Sequence, residues 1–269
     1  MNQKIQPNLT QVPETMLIPL RARYNETKRP HGIIHDPMSV TILDQIDHSF
    51  GRHNEVSILS QMGVAVRTDI LDRLTRQFLE KYHDGVVVNL GCGLDTRYSR
   101  LDNGRVEWYD LDLPESIRLR RHFFEETDRF HFIASSVLDL NWLDKIPSDR
   151  ATLFIAEGLL MYFTEEEVRS LLLALGKRFP HSQIILEAMS PRIARSTKVH
   201  ADVKKYDATF KWGIKSGREM EFWGIGIHFE AEYFYNIHLN KMPPLVALFY
   251  RIIARRMMKI IHLTLGYRA

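Results

Sequence analysis

The stretch that most constrains this chain is residues 86–96, VVVNLGCGLDT. Three valines and an Asn-Leu pair predict a strand buried on both faces, which is typical of parallel sheets covered by helices. Gly91 and Gly93 then allow a sharp turn and let a ligand approach the backbone with no Cβ in the way. Asp95 and Thr96 are suited to capping a short helix. A strand, a glycine turn and a helix form the first crossover of a nucleotide-binding α/β fold.

The glycine turn lacks two familiar phosphate-binding patterns. A dinucleotide fingerprint places a third glycine at position 96, where this chain has Thr96. A P-loop requires Gly-Lys followed by Ser or Thr, and that pattern is absent. The turn is instead suited to a small, uncharged or zwitterionic part of a nucleoside, and a purely structural turn is the alternative.

A second predicted strand, residues 106–112, ends in acids. An acid at this strand end is placed to accept hydrogen bonds from ribose hydroxyls. Gly93 and Asp112 are 19 residues apart, close to the spacing of about 20 that such sites show. The acid therefore favours a nucleoside site over a structural turn.

Three motifs follow one another in the chain: NLGCGLDT at residues 89–96, YDLDLP at 109–114 and AEGLLMY at 156–162. In this order they resemble the leucine carboxyl methyltransferase family, whose bacterial branch includes tetracenomycin-type polyketide O-methyltransferases. The resemblance spans about residues 21–222. It implies S-adenosylmethionine as cofactor and an α/β, Rossmann-like class I methyltransferase fold: a mostly parallel seven-stranded sheet with helices on both faces and an N-terminal helical cap.

The resemblance also implies which residues bind the cofactor. Arg67 matches a family arginine near the methionine carboxylate, and Glu157 matches a glutamate near the methionine amino group. Ser136 stands where the family usually has an acid that accepts from the adenine amino group, and its hydroxyl can still accept. The predicted cofactor site comprises Arg67, Gly91, Cys92, Gly93, Asp112, Ser136, Val137 and Glu157.

The residue patterns alone leave other interpretations of these charges open. Arg67 could be a solvated helix arginine paired with Asp69 or Asp72. Glu157 follows a predicted buried strand and needs a partner, which could be a nearby arginine. Two more cations of the N-terminal region, Arg23 and Lys28, are further candidates for the region that closes over the cofactor.

A basic run follows the second strand, on a helix predicted over residues 117–127. Such runs usually form a solvated helix face. The cationic residues of this run are Arg118, Arg120, Arg121 and His122.

The chain divides into a helical cap, residues 1–80, and an α/β core, residues 81–269. Within the core, residues 189–223 are predicted to cover the acceptor site, and a helix is predicted to begin at residues 216–219. The polar and aromatic candidates of this insertion are His200, Tyr206, Lys211, Trp212 and Lys215.

Composition excludes several classes of protein. The 269 residues are 45% hydrophobic, enough for one large domain, and the net charge of +3 is too small to indicate nucleic acid as a partner. The single cysteine, Cys92, rules out an internal disulfide and a cysteine-built zinc site. No metal-binding constellation, signal peptide or long apolar span is evident, so a cytoplasmic location is expected.

The tail, residues 243–269, mixes apolar and basic residues. A basic amphipathic helix can lie on an anionic membrane or dock on its own domain or a partner subunit. A last strand predicted at residues 260–267 favours docking.

These observations predict O-methylation of a carboxylate or hydroxyl on a small molecule, such as a polyketide-like metabolite. A carboxylate needs no catalytic base, whereas a hydroxyl would benefit from one such as His200 or His228; the base stays unassigned. The alternatives are an NAD-dependent dehydrogenase, disfavoured by Thr96, and a non-catalytic nucleoside-binding or membrane-surface protein. The oligomeric state is not predicted.

Overall fold

The computed structural model describes residues 4–5, 15–47, 56–196, 209–253 and 257–266. Its helices are α1 Leu17–Lys28, α2 Pro37–Gln45, α3 Ile58–Lys81, α4 Arg97–Leu101, α5 Pro114–Arg120, α6 Glu165–Arg178, α7 Pro191–Ala194 and α8 Pro244–Ile252. Its strands are β1 Val86–Leu90, β2 Glu107–Asp112, β3 Phe130–Ala134, β4 Thr152–Ala156, β5 Gln183–Met189, β6 Ile227–Phe234 and β7 Met258–Leu265.

The seven strands form one sheet in the order β3-β2-β1-β4-β5-β7-β6. The first five strands pair in parallel, whereas β7 is antiparallel to both of its neighbours. The predicted mostly parallel, seven-stranded α/β fold is therefore confirmed. Strand order reverses between β1 and β4, so the crevice at their carboxyl ends is where such folds bind ligands.

Both faces of the sheet are buried, as the apolar β1 run predicts. Val87 packs into a cluster that contains residues of the first three helices, including Leu20 of α1 and Leu71 of α3. Val86 and Val88 point to the other face and pack with Leu172 of α6. The three N-terminal helices, α1 to α3, therefore cover the face of the sheet on which Val87 lies. The boundary of the cap at residue 80 stays a prediction.

Two predicted helices differ from those observed. The helix after β2 ends at Arg120 and does not continue to residue 127. The segment that begins after Ser216 is a short 3-10 helix, Gly217–Trp223, whose first turn is capped by the Ser216 hydroxyl. Within the described residues, none of the helices combines the length and the apolar character that a bilayer crossing requires.

The tail docks on the rest of the fold. Strand β7 lies inside the sheet between β5 and β6. Helix α8 packs against α3, where the Tyr250 hydroxyl donates a 2.8 Å hydrogen bond to the Leu59 carbonyl. A last strand is therefore observed, at residues 258–265, and α8 contacts α3, while Leu245, Leu248 and Ile252 of α8 stay exposed. Residues 254–256 and 267–269 lie outside the described residues.

Candidate active site

A cavity of about 720 Å³ opens at the carboxyl ends of the parallel strands. Its wall comes from the loops that follow β1 to β5, together with residues of α1, α3, α8 and β7. Every residue of the predicted cofactor site lies on this wall: Arg67, Gly91, Cys92, Gly93, Asp112, Ser136, Val137 and Glu157. The fold therefore gathers on one surface residues that are up to 90 positions apart in sequence.

The glycine turn takes a backbone conformation that favours glycine. Gly91 has a φ of +64° and Gly93 a φ of +46°, in the left-handed region. A Cβ on Gly91 would lie 2.8 Å from a methyl of Leu159, and one on Gly93 would lie 3.0 Å from the Cβ of Met16. Side chains at these two positions would strain the turn and crowd the cavity wall.

Asp112 closes the turn onto the end of β2. Its carboxylate accepts hydrogen bonds of 2.7 Å from the backbone N–H groups of Gly93 and Leu113. Burial raises the pKa of Asp112 above its usual value, and these two hydrogen bonds oppose that rise. The acid is thereby fixed beside the turn, as a ribose-binding role requires.

The prediction that the basic run after β2 forms a solvated helix face is wrong for Arg120. Arg118, Arg121 and His122 are exposed, but Arg120 is only 1% exposed. Its guanidinium donates hydrogen bonds to the carbonyls of Gly93 (3.0 Å) and Asp95 (2.8 Å) and pairs with Asp110. Helix α5 therefore directs Arg120 into the interior, where its guanidinium binds the carbonyls of the glycine turn.

The predicted helix cap after the turn is only partly correct. An Asp95 oxygen accepts from the backbone N–H of Arg97 at 3.1 Å. Thr96 occupies the N-cap position of α4, but its hydroxyl makes no hydrogen bond to the backbone of that helix. It donates instead to Asp36, in the N-terminal helical region, at 2.6 Å. Thr96 thus joins the turn to the N-terminal helices.

Ser136 and Val137 lie on the wall beyond β3, where the adenine is predicted to bind. The Ser136 hydroxyl accepts a long, 3.3 Å hydrogen bond from Leu138 N–H. The Val137 side chain is buried, and its carbonyl accepts from Trp142 at 3.0 Å. These bonds order the loop and leave the Ser136 hydroxyl a second lone pair with which to accept a hydrogen bond.

Arg67 pairs with two glutamates rather than with its helix neighbours. Its Nε donates to Glu157 at 2.7 Å, and its Nη1 donates to Glu187 at 2.9 Å. The alternative in which Arg67 pairs with Asp69 or Asp72 is therefore wrong. The alternative in which Glu157 pairs with a nearby arginine is observed, since Arg67 binds it. Arg67 and Glu157 both line the cavity as well.

Buried ion pairs connect this corner of the cavity to the cap. Arg97 donates 2.7 Å hydrogen bonds to Glu157 and to Asp72 of α3. Arg23 of α1 pairs with Asp36 at 3.1 Å and donates to the Leu94 carbonyl at 2.9 Å. Of the two further candidates, Arg23 lines the cavity, whereas Lys28 is exposed and lies over the Tyr24 ring.

Two carboxylates of this region, Glu157 and Asp95, have pKa values that neighbouring arginines hold low. Burial alone would raise the pKa of Glu157 and of Asp95. Arg67 and Arg97 outweigh that effect for Glu157, whose pKa lies below its usual value. Arg97 and Arg23 do the same for Asp95.

The charges on the wall fit a zwitterion that also carries a sulfonium. The described lining residues include five carboxylates and three cationic side chains: Asp95, Asp112, Glu157, Glu167 and Glu187, and Arg23, Arg67 and Lys211. S-adenosylmethionine has one carboxylate, one ammonium and one sulfonium, and therefore carries a net positive charge at neutral pH. The adenosine part is predicted to bind against the acid at the β2 end, Asp112, and the glycine turn.

The remaining wall is apolar and aromatic. Tyr162 and Phe210 pack with ring centroids 5.2 Å apart. They are joined there by Phe163, Met189, Ile193, Phe249, Met257 and Met258. This part of the cavity offers surface for a second, apolar molecule beside the predicted cofactor residues.

The structure locates some of the acceptor-site candidates. Lys211 lies on the rim, whereas Trp212 is buried against Trp223, outside the cavity wall. His200 and Tyr206 lie outside the described residues, and no described histidine, His228 included, lines the cavity. The described residues also contain no metal-binding group of three histidine, cysteine or acidic side chains.

Two charged residues that the sequence interpretation missed complete the site. Arg120 sits in a basic run, and nothing in that run separates it from its exposed neighbours. Glu187 is the one acid in the apolar strand β5, and a buried acid needs a partner. Glu187 therefore carries the same sequence signal as Glu157, an acid near the end of an apolar strand.

Solved structures resemble this fold at low sequence identity. A protein from Thermobifida fusca, provisionally described as a methyltransferase, matches with a TM-score of 0.58 and 13% identity, covering 91% of this chain and 94% of that one. This likeness supports the fold and says nothing further about the reaction.

Sequence relatives identify the family. The tetracenomycin polyketide synthesis O-methyltransferase TcmP of Streptomyces glaucescens is 33% identical over 226 residues, which are 84% of this chain and 83% of that protein. The S-adenosyl-L-methionine-dependent methyltransferase dpfgK of Gibberella zeae is 32% identical over 193 residues, 65% of this chain and 64% of its own. A family model, leucine carboxyl methyltransferase, matches residues 16–176. The chain therefore belongs to the leucine carboxyl methyltransferase family and is an S-adenosylmethionine-dependent methyltransferase.

Proposed function

We propose that this enzyme methylates an oxygen, of a hydroxyl or a carboxylate, on a small and largely apolar molecule. The observation that carries the proposal is the apolar and aromatic wall that continues from the predicted cofactor residues. Tyr162, Phe210 and Met189 belong to this wall, and all of them line the same cavity as Arg67 and Asp112. A cofactor and a small acceptor can therefore share one enclosure.

The size and composition of the cavity support a small acceptor. Sites for small molecules usually enclose about 300–1,000 Å³ and are mostly apolar with a few polar groups, and this cavity encloses about 720 Å³. Five methionines line the described wall of this cavity, Met16, Met161, Met189, Met257 and Met258, and their flexible, polarisable side chains adapt to an irregular ligand. The relative TcmP, by its name, serves polyketide synthesis, which supports a polyketide-like acceptor.

The chain's contribution to the reaction is positioning. The bound cofactor supplies an electrophilic methyl group on its sulfonium. The protein must hold an acceptor oxygen in line with that methyl and keep water away, and such alignment alone can lower a barrier by about 7–11 kcal/mol. An acceptor carboxylate is ionised at neutral pH, so it reacts without a base.

The test is methyl transfer from isotopically labelled S-adenosylmethionine to pairs of acceptors. Each pair has the same ring system and carries either a carboxylic acid or a phenol. Methyl esters hydrolyse in mild base whereas aryl methyl ethers survive, so base treatment of the product identifies the oxygen that was methylated.

The proposal expects label on at least one oxygen acceptor, and loss of that label in Asp112→Ala. Exclusive labelling of nitrogen or sulfur acceptors would overturn it. So would exclusive labelling of a peptide that ends in a leucine carboxylate.

A further inference from the structure

Glu187 is a carboxylate buried at the floor of the cavity. It lies near the end of β5 among apolar residues and is 0% exposed. A buried carboxylate is costly unless hydrogen bonds and an opposite charge compensate it. Four hydrogen bonds do so here: two from Arg67 Nη1 (2.9 and 3.2 Å), one from the Tyr235 hydroxyl (2.6 Å) and one from Gly158 N–H (2.9 Å).

The partners of Glu187 come from different parts of the fold. Arg67 lies on α3, Gly158 follows β4, and Tyr235 follows β6. Tyr235 is itself buried, and burial together with the neighbouring carboxylate raises its pKa well above the usual value. Tyr235 therefore stays a protonated donor, and Glu187 is held in one orientation.

The orientation of Glu187 fixes that of Arg67. Glu187 binds Nη1 of the guanidinium, and Glu157 binds Nε. No hydrogen bond within the described part of the chain uses Nη2. This nitrogen lies beside Gly158, 3.8 Å from the position that a Cβ on that glycine would take. Two nitrogens are thus clamped, and the third remains a donor on a residue that lines the cavity.

The two glutamates differ in what else they can bind. The Glu157 side chain is 10% exposed and the Glu187 side chain 0%. Glu157 can therefore accept from a ligand's ammonium while it holds Arg67. Glu187 is enclosed by its protein partners and acts only through the arginine.

We propose that Glu187 is a positioning residue that orients the Arg67 guanidinium toward the carboxylate of the cofactor's methionine part. The proposal rests on the cavity being the cofactor site and on the predicted role of Arg67. A guanidinium whose other nitrogens are held offers its remaining donors in one direction, and a charge-assisted hydrogen bond is strong only when it is well aligned. Glu187 lines the cavity, but its side chain is 0% exposed, so the proposal assigns it no direct contact with the cofactor or the acceptor.

The test compares two ligands that differ by one group. Calorimetry measures the Kd of the full chain for S-adenosylhomocysteine and for its decarboxylated analogue, which keeps the adenosine, the sulfur and the amine. In Glu187→Gln, we expect the Kd for S-adenosylhomocysteine to rise about tenfold or more, as for loss of one aligned, charge-assisted hydrogen bond. The Kd for the analogue should change less than about twofold, since it has no carboxylate to position.

A milder variant and a matched control accompany the test. Tyr235→Phe keeps the carboxylate and removes one of its hydrogen bonds, so a smaller, equally selective loss is expected; it decides the question if Glu187→Gln does not fold. Glu232→Gln changes a glutamate on β6 that pairs with Lys259 at 3.5 Å and does not line the cavity. Neither Kd should change in that control.

The outcomes separate this proposal from the site on which it rests. Equal weakening of both ligands would give Glu187 a merely structural role, and unchanged binding of S-adenosylhomocysteine would also overturn the proposal. If the folded wild-type chain bound neither ligand, the assignment of the cavity itself would fail, and the proposal with it. Selective weakening of the carboxylated ligand supports it.

Discussion

The carboxylate of Asp112 accepts a 2.7 Å hydrogen bond from the backbone N–H of Gly93. This bond joins the end of β2 to the glycine turn after β1. The second carboxylate oxygen is bound by Leu113 N–H, and each oxygen has a further lone pair. Asp112 can therefore shape the turn and accept ribose hydroxyls at the same time.

Asp112→Ala should weaken S-adenosylhomocysteine binding by roughly 100-fold or more. Two ribose hydrogen bonds to a charged acceptor would be lost, each worth about 1.5–3 kcal/mol. Asp112→Asn keeps one oxygen acceptor and should lose less, about tenfold. Calorimetric titration measures both, with Asp144→Asn, whose side chain is 86% exposed, as a control that should match the wild type. Wild-type affinity in Asp112→Ala would remove this residue from the cofactor site.

Arg120→Met should lower the free energy of unfolding by about 3–5 kcal/mol, the usual cost of leaving one partner of a buried ion pair alone. Asp110 is that partner; it is 0% exposed and also accepts from the Trp108 indole at 3.0 Å. The Gly93 and Asp95 carbonyls lose their donor as well. Urea denaturation gives the size of the loss.

The double variant Arg120→Met/Asp110→Asn tests the cause of that loss. Removing the unpaired charge should restore part of the stability. Binding of S-adenosylhomocysteine should stay weakened in the double variant, because the glycine turn still lacks its support from Arg120. If the double variant were as unstable as the sum of the two single variants, the ion pair would not be the source.

The succession of strands and motifs along the chain could be predicted because it depends on local signals. Apolar runs, the glycine turn and the acids at strand ends each lie within a few residues, and every predicted cofactor residue lines the cavity. The inward turn of Arg120 depends instead on acceptors 25 and 27 residues away. The sequence does not distinguish Arg120 from its basic neighbours. Which of them is buried depends on which side of the short helix faces the sheet, and that is set by the tertiary structure.

The ion pairs around Arg67 show a second limit. The sequence offers Asp69 and Asp72 as alternative partners of Arg67 because they lie close to it along the helix. The observed partners, Glu157 and Glu187, are 90 and 120 residues away, and parallel strands bring their carboxyl ends together at one edge. Strand order had to be known before these pairings could be inferred.

Gly63→Ala should destabilise the protein by about 1–2 kcal/mol, although alanine is the better helix former by about 1 kcal/mol. Gly63 lies in α3, and a Cβ there would come 2.5 Å from the Tyr250 hydroxyl oxygen, while the ring carbon that carries it is 3.7 Å away. The tyrosine would have to move and give up its bond to the Leu59 carbonyl, which holds α8 on α3.

In a Tyr250→Phe background the same Gly63→Ala change should be neutral or stabilising. The oxygen that clashes is gone, the ring carbon at 3.7 Å is at an ordinary contact distance, and the helix propensity of alanine remains. Urea denaturation of the four proteins completes the double-mutant cycle. Additive effects of the two changes would show that the tyrosine hydroxyl is not what excludes a side chain at position 63.

Glu26 ties the cap helices together and is the clearest candidate for a pH-dependent contribution. Its carboxylate accepts from Arg29 Nε (2.9 Å), Ile33 N–H (2.6 Å) and Gln61 (2.9 Å), and it is 0% exposed. Burial by itself would raise the pKa of Glu26, but the hydrogen bonds from these residues outweigh burial and hold the pKa below the usual 4.5.

A lowered pKa in the folded state stabilises the protein above the unfolded-state pKa, and the gain is lost as the pH falls through the folded-state pKa. Glu26→Gln should therefore lower the free energy of unfolding by about 2 kcal/mol at pH 7. The difference from the wild type should shrink as the pH falls below about 4.5. Denaturant unfolding at a series of pH values measures it, with the exposed Glu166→Gln as control. A difference that is constant down to acidic pH would show that the charge of Glu26 contributes nothing and that only its shape matters.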